Sequence, residues 1–157
     1  MEMLLETAQR LAETVKKRLA PYCSRIEVAG SVRRRKPRVK DIDFVLIPSD
    51  HWNFNQEVKN LGERRAAGGK LIRVISGAYQ IDLYIATPET WATLFLIRTG
   101  SAENNIRLCT RARELDMSLH ADGSGLLNAR GERIAGDTEQ SIFNALGLKY
   151  QEPWERG

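Results

Sequence analysis

Residues 30 to 43 read Gly30-Ser31-Val32-Arg33-Arg34-Arg35-Lys36-Pro37-Arg38-Val39-Lys40-Asp41-Ile42-Asp43 and run straight into the apolar stretch Phe44-Val45-Leu46-Ile47. Side chains of a β-strand alternate between its faces, so Asp41 and Asp43 project from one side and can flank a divalent cation. Hard carboxylate oxygens suit Mg²⁺. Upstream, Ile26-Glu27-Val28 is strand-like, Gly30 allows a tight turn, and Ser31 opens a short helix whose backbone N–H groups and hydroxyl face an anion. Six of the eight residues from 33 to 40 are basic, enough to need a polyanionic partner such as a triphosphate or a nucleic-acid backbone. Each of these features is common alone. Their order and close spacing give them meaning together.

Phosphoryl transfer at a pair of metals ordinarily calls for a third carboxylate from a neighbouring strand. Lys70–Ser76 and Tyr79–Ala86 are two apolar-rich runs separated by Gly77-Ala78, the signature of a β-hairpin. Within the second run Ile81, Leu83 and Ile85 alternate with Gln80, Asp82 and Tyr84, which puts Asp82 on the face opposite the aliphatic side chains. Three acids on one open sheet face are then expected.

The rest of the chain frames this stretch. Leu4, Ala8, Leu11, Val15 and Leu19 recur at helical spacing in Met3–Leu19, with charges elsewhere around the helix and Pro21 ending it. A secretory signal would not carry those charges, and no apolar run approaches the roughly 20 residues that span a bilayer. Ser49 or Asp50 caps a helix to about Leu61, in which Trp52 and Phe54 are expected to pack in or at the rim of the core, and Gly62 and Gly68-Gly69 break the chain before the hairpin. Thr87-Pro88 predicts a helix with Pro88 at its first position, so the boundary between a catalytic part, residues 1–87, and a second part, residues 88–157, is placed there. Another helix is expected over Ala102–Leu115, then a short hairpin around Asp122-Gly123, then a helix capped by Asp137 and closed by Gly147. With 157 residues, 42% of them hydrophobic, and a net charge of +4, the chain is a folded protein suited to an acidic partner. Two cysteines and two histidines, none in paired spacing, argue against a disulfide framework and structural zinc.

Gly30-Ser31-x-Arg33-Arg34, Asp41-x-Asp43, Gln80-x-Asp82 and Arg98-Thr99-Gly100-Ser101 resemble, in order and approximate spacing, the family X DNA polymerases, the polymerase-beta-like branch of the nucleotidyltransferases. The first two elements alone fit the whole nucleotidyltransferase superfamily. Thr99-Gly100-Ser101 and the helix after it narrow the match to the polymerases. The resemblance extends over nearly the whole chain, to Pro153-Trp154-Glu155. It implies an α+β fold: a palm with a mixed or antiparallel sheet and flanking helices, followed by a small helical subdomain with a short hairpin.

By that resemblance Asp41 and Asp43 bridge two Mg²⁺ ions, for which Mn²⁺ can substitute, while Asp82 binds the catalytic ion and helps take the proton of a primer 3′-hydroxyl. Ser31 and Arg34 hold the β and γ phosphates of a dNTP, with Gly30, Arg33 and Lys40 close by, Thr99 and Gly100 lie against its sugar, and Asn105 reaches its base. Arg35, Lys36, Arg38, Arg107 and Arg111 contact DNA, either a primer-template or a gapped duplex. The expected activity is template-directed gap filling or short primer extension in DNA repair. Two competing readings are a template-independent nucleotidyltransferase and a non-catalytic nucleic-acid-binding module; the three retained aspartates speak against the second.

Departures from the family pattern also carry expectations. Ile97-Arg98 stands where relatives usually have aromatic residues against the sugar, Gln80 where some have an arginine, and Cys109 about where an arginine probes the templating pair. Reduced fidelity follows. The chain opens on the palm helix, without the lyase and helix-hairpin-helix parts of larger relatives, so low processivity is expected, in an intracellular monomer, cytoplasmic or encoded by a virus or phage, that an accessory protein can help to grip DNA.

Overall fold

The structure is a computed structural model; it describes residues 2–157, which divide into two compact units, one ending at Ile85 and one spanning Ala86–Gly157. Chain order in the first unit is β1 (Met3–Leu4), α1 (Leu5–Leu19), β2 (Cys23–Val28), the single turn α2 (Gly30–Arg33), β3 (Arg38–Val39), β4 (Asp41–Pro48), α3 (His51–Leu61), β5 (Glu63–Ala67), β6 (Leu71–Ser76) and β7 (Tyr79–Ile85). Five strands form one sheet in the order β2-β4-β7-β6-β5, and β1 pairs separately with β3. Every pairing in the sheet is antiparallel except β4 with β7. That parallel pair lies at its centre.

Alternation along the central strands sends Ile42, Phe44, Leu46, Ile81, Leu83, Ile72 and Val74 into the core, together with Ala8, Ala12, Val15 and Leu19 of α1 and Phe54, Val58 and Leu61 of α3. Each fully buried large aliphatic or aromatic side chain contributes about 1.5–3 kcal/mol, so this core holds the sheet beneath the acidic face. Asp50 caps α3, its carboxylate accepting from the Asn53 N–H at 3.1 Å.

Three local expectations need correction. Leu4 does not belong to the first helix: Met3 is buried and pairs with Val39, which leaves Leu4 exposed before α1 begins. Between the expected breaks at Gly62 and Gly68-Gly69, residues 63–67 form β5 along β6, an element not expected from the sequence because a charged edge strand carries no apolar alternation to reveal it. Trp52 is 72% exposed and packs in no core, whereas Phe54 is buried.

The second unit comprises α4 (Trp91–Thr99), α5 (Ala102–Glu114), β8 (Ser118–His120), β9 (Gly125–Leu127), β10 (Arg133–Ala135) and α6 (Glu139–Ala145). Leu96, Leu108, Ala112, Leu126, Ile142, Phe143 and Leu146 form its core. Pro88 is not the first helical residue: Thr87 to Thr90 make a turn bonded through both threonine hydroxyls, and α4 starts at Trp91. A third strand, β10, extends the expected hairpin, brought back along β9 by a turn in which Asn128 Oδ1 accepts from the N–H groups of Arg130 and Glu132, both at 2.9 Å. The cap of α6 is Thr138 rather than Asp137; Thr138 and Ser141 exchange reciprocal side-chain-to-backbone hydrogen bonds. Asp137 pairs with Arg133 instead, at 3.1 Å. No helix among the described residues is long and apolar enough to cross a membrane.

Candidate active site

Strand register brings the acids together. On the parallel pair Asp43 stands directly opposite Asp82, and Asp41 opposite Gln80, so Asp41, Asp43 and Asp82 share the sheet face turned away from Phe44 and Leu83. Asp82 is buried, with 3% of its surface exposed, and Asp41 and Asp43 are half-buried. The turn at Gly30 is fitted to this face. Gly30 has φ +57°, and a Cβ at its position would lie 2.1 Å from Asp43 Oδ2. Ala29 N–H donates to the Asp43 carbonyl at 2.7 Å and ties the turn to β4. Glycine is required here twice over, by a left-handed backbone and by the close approach of a carboxylate.

A cavity of about 340 Å³ opens beside Asp41 and Asp43 and is lined also by Ser31, Arg34, Lys36, Arg38, Lys40 and Glu2. Four cations and a hydroxyl thus share one small space with three carboxylates, Asp41, Asp43 and Glu2, an arrangement that a phosphate chain carrying divalent ions would neutralise. Arg33 and Arg35 line a different cleft, of about 390 Å³, with Gln9, Glu13 and Lys16 of α1. The basic run is therefore split between two cavities. Short-helix geometry is the reason: successive side chains on α2 and the residues after it point in different directions, and Arg35 itself has a left-handed φ of 58°.

Asp82 has a partner on the next strand that the sequence alone did not suggest. Arg73 on β6 is its register neighbour, and donates from Nε to Asp82 Oδ1 at 2.8 Å and from Nη2 to Oδ2 at 3.3 Å. Gln80 Nε2 lies 3.4 and 3.2 Å from the same two oxygens. The Arg73 guanidinium is raised above its ordinary pKa, first by the hydrogen bond to Asp82 and then by that carboxylate's charge. No three His, Cys, Asp or Glu side chains among the described residues form a ready metal cage. The donor set still fits Mg²⁺: oxygen ligands on rigid strands, with the space above Asp43 kept open by Gly30. Arg73 was legible in principle. A two-residue turn at Gly77-Ala78 pairs Ser76 with Tyr79, and counting three residues back along each strand pairs Arg73 with Asp82.

The expected nucleotide and DNA contacts of the second unit have partners within that unit. Thr99 is buried, and its hydroxyl donates to the Phe95 carbonyl at 2.6 Å. Gly100 has φ 74° and precedes a cis peptide to Ser101, whose hydroxyl accepts from Asn104 N–H as the cap of α5. Asn105 Nδ2 donates to the Ile97 carbonyl at 2.8 Å, while its Oδ1 is buried without a hydrogen-bond partner. Arg107 donates to Gln151 Oε1 at 3.0 Å, and Arg111 Nε donates to the Leu146 carbonyl at 2.9 Å, closing the C-terminal end of α6. Cys23 and Cys109 are free thiols, and burial pushes the Cys23 thiol up to about 11.

A central parallel strand pair carrying aspartates in register, beside a Gly-Ser turn and a cationic cavity, defines a nucleotidyltransferase-like palm. The comparisons with known proteins specify it further. Residues 94–157 match the DNA polymerase beta thumb family. The chain is 30% identical over 149 residues to the DNA polymerase/3'-5' exonuclease PolX of Bacillus subtilis, covering 90% of this chain and 26% of that protein. It is 29% identical over 86 residues to DNA polymerase lambda of Rattus norvegicus, covering 49% of this chain and 15% of the relative. Its fold matches the crystal structure of Leishmania infantum polymerase beta in a ternary P/T complex, with a TM-score of 0.85 and 18% identity, over 100% of this chain and 77% of that one. The chain is thus similar over nearly its whole length to a family X DNA polymerase and shares the polymerase beta fold. It spans about a quarter or less of the length of these two curated relatives.

Proposed function

We propose that this chain transfers a nucleotidyl group from a dNTP to a primer 3′-hydroxyl, as a template-directed DNA polymerase that fills gaps or makes short extensions. The observation that carries the proposal is the register of Asp43 with Asp82 on a parallel strand pair, with Asp41 two residues before Asp43 and a cationic cavity alongside. Asp41, Asp43 and Asp82 would hold two Mg²⁺ ions, or Mn²⁺ in their place. Bound there, such ions stabilise charge on the entering and leaving oxygens of an in-line displacement. The chain's own groups do the rest. The Ser31 hydroxyl donates to a terminal phosphate, Arg34 and Lys40 offset the charge of the triphosphate, and Lys36 and Arg38 extend the same field toward the DNA backbone. The Asp82 carboxylate accepts the proton of the attacking 3′-hydroxyl. In the second unit Thr99, Gly100 and Asn105 bear on nucleotide selection, and the absence of aromatic residues at Ile97-Arg98 lowers discrimination.

A template-independent transferase is the second reading, favoured by one observation: Arg107 and Arg111, the helix arginines expected on DNA, are engaged inside their own unit. Primer extension on gapped duplex, on single strand and opposite each template base, with Mg²⁺ or Mn²⁺, separates the two. Template-matched products support the polymerase; the same products with every template support the alternative. Asp43→Asn and Asp82→Asn should each reduce incorporation to background, and retention of activity by either overturns the metal assignment.

A further inference from the structure

We propose, on the nucleotidyl-transfer reading above, that Arg73 is the positioning residue for Asp82: the guanidinium that fixes the third carboxylate comes from the neighbouring strand. In the family pattern some members place an arginine two residues before this aspartate, where the present chain has Gln80. The structure moves that charge one strand over. Nε and Nη2 of Arg73 meet both Asp82 oxygens, at 2.8 and 3.3 Å, and a two-point contact fixes the plane of a carboxylate as a single bond does not. Gln80 Nε2 is a second donor to the same oxygens, at 3.4 and 3.2 Å.

Burial makes this contact decisive. The Asp82 side chain is only 5% exposed, so little water orients it, and its direction is set by the donors that reach it. The backbone of Arg73 is itself fixed from both sides, paired with Asp82 on β7 and with Ala66 on β5. Its side chain is 39% exposed, which leaves room for the fork to yield as a metal ion takes one carboxylate oxygen. Lysine would keep the charge and lose the fork.

The test uses the full chain with Arg73→Ala, Arg73→Lys, Asp82→Asn and the double variant Arg73→Ala/Gln80→Arg, all checked for fold by circular dichroism. Mn²⁺ binding without nucleotide, followed by electron paramagnetic resonance, is read beside kcat and KM on a gapped primer. Removing a group that orients a metal ligand costs about 10- to 100-fold in affinity or turnover, and that loss is expected for Arg73→Ala in both Mn²⁺ affinity and kcat, with the KM for dNTP little changed. Arg73→Lys should fall between it and the parent chain. The double variant should recover most of both losses, because it returns a guanidinium to Asp82 along its own strand. Unchanged or tighter Mn²⁺ binding by Arg73→Ala, with Asp82→Asn defective, overturns the Arg73 role alone. Parental Mn²⁺ binding and turnover in Asp82→Asn overturns the metal site and this inference with it. If Arg73→Ala does not fold, Arg73→Lys decides: reduced Mn²⁺ affinity supports the role, and parental affinity overturns it.

Discussion

Gly30 shows how one residue without a side chain governs a site made of charges. Alanine there meets two obstacles: a left-handed backbone, which costs an L residue roughly 1–2 kcal/mol, and the Asp43 carboxylate 2.1 Å from the new Cβ. The carboxylate is the softer of the two neighbours, so it moves. Displacement of a reacting group by about 1 Å costs on the order of 10²-fold in rate, and Gly30→Ala is predicted to lose about that much turnover while unfolding at only slightly lower urea concentration. Single-turnover incorporation beside a urea titration checks both halves; full activity would show that the Asp43 carboxylate need not sit against Gly30. Residues of this kind were legible in the sequence because their chemistry is local. Gly30, Asp41 and Asp43 announce a turn and a shared strand face by spacing alone. Arg73 and Glu2 were not read: an isolated arginine in a strand carries no signal of its own until the hairpin register is counted through to Asp82, and Glu2 lies at the chain's start, outside any pattern that points to the site.

At the scale of elements, the last residues of the chain hold the second unit together through Arg156. Its side chain is fully buried, pairs with Glu139 at 2.8 Å in the first turn of α6, donates to the Gln151 carbonyl, and lies 5.5 Å from the ring centroids of both Phe143 and Tyr150. The Arg156 carbonyl in turn accepts from the N–H and hydroxyl of Ser101, the cap of α5. Breaking a buried ion pair from one side strands the other charge, at a cost of about 3–5 kcal/mol, and Arg156→Met is predicted to destabilise the protein by that order in urea-induced unfolding. By contrast Thr138→Ala, which removes one exposed cap, should cost about 1 kcal/mol. Similar losses from the two changes would mean that Arg156 is no keystone. Elements with strong internal signals were legible: α1, α3, β4, β7 and α5 follow from their periodicity and caps. β5 and β10 escaped because edge strands owe their existence to a neighbour's open hydrogen bonds rather than to their own pattern, and the start of α4 was set too early because threonine hydroxyls at 87 and 90 bond a turn where Pro88 alone would open a helix.

For the whole molecule the question is how a chain of net charge +4 divides its cations between nucleotide and DNA. The cavity beside Asp41 holds Arg34, Lys36, Arg38 and Lys40, and every phosphate of duplex DNA that such groups neutralise contributes a slope of roughly −0.9 to the logarithm of affinity against the logarithm of salt. Lys36 and Arg38 lie between Arg34, which follows the Gly-Ser turn, and Lys40, which adjoins Asp41, and are assigned to DNA in the function proposed. Replacing both by glutamine should then weaken binding to gapped duplex uniformly across sequences and reduce the salt slope by about 2, while the affinity for dNTP at fixed Mg²⁺ stays near the parent value. Arg34→Gln should do the reverse, weakening the nucleotide and leaving the DNA slope almost untouched. Fluorescence anisotropy of labelled duplex over a salt series, beside nucleotide binding by calorimetry, reads both quantities on the same preparations. If the Lys36/Arg38 double variant loses dNTP affinity and keeps its DNA slope, the cavity belongs wholly to the triphosphate, and the cations that grip DNA must be sought elsewhere, first at Arg33 and Arg35 in the cleft beside α1.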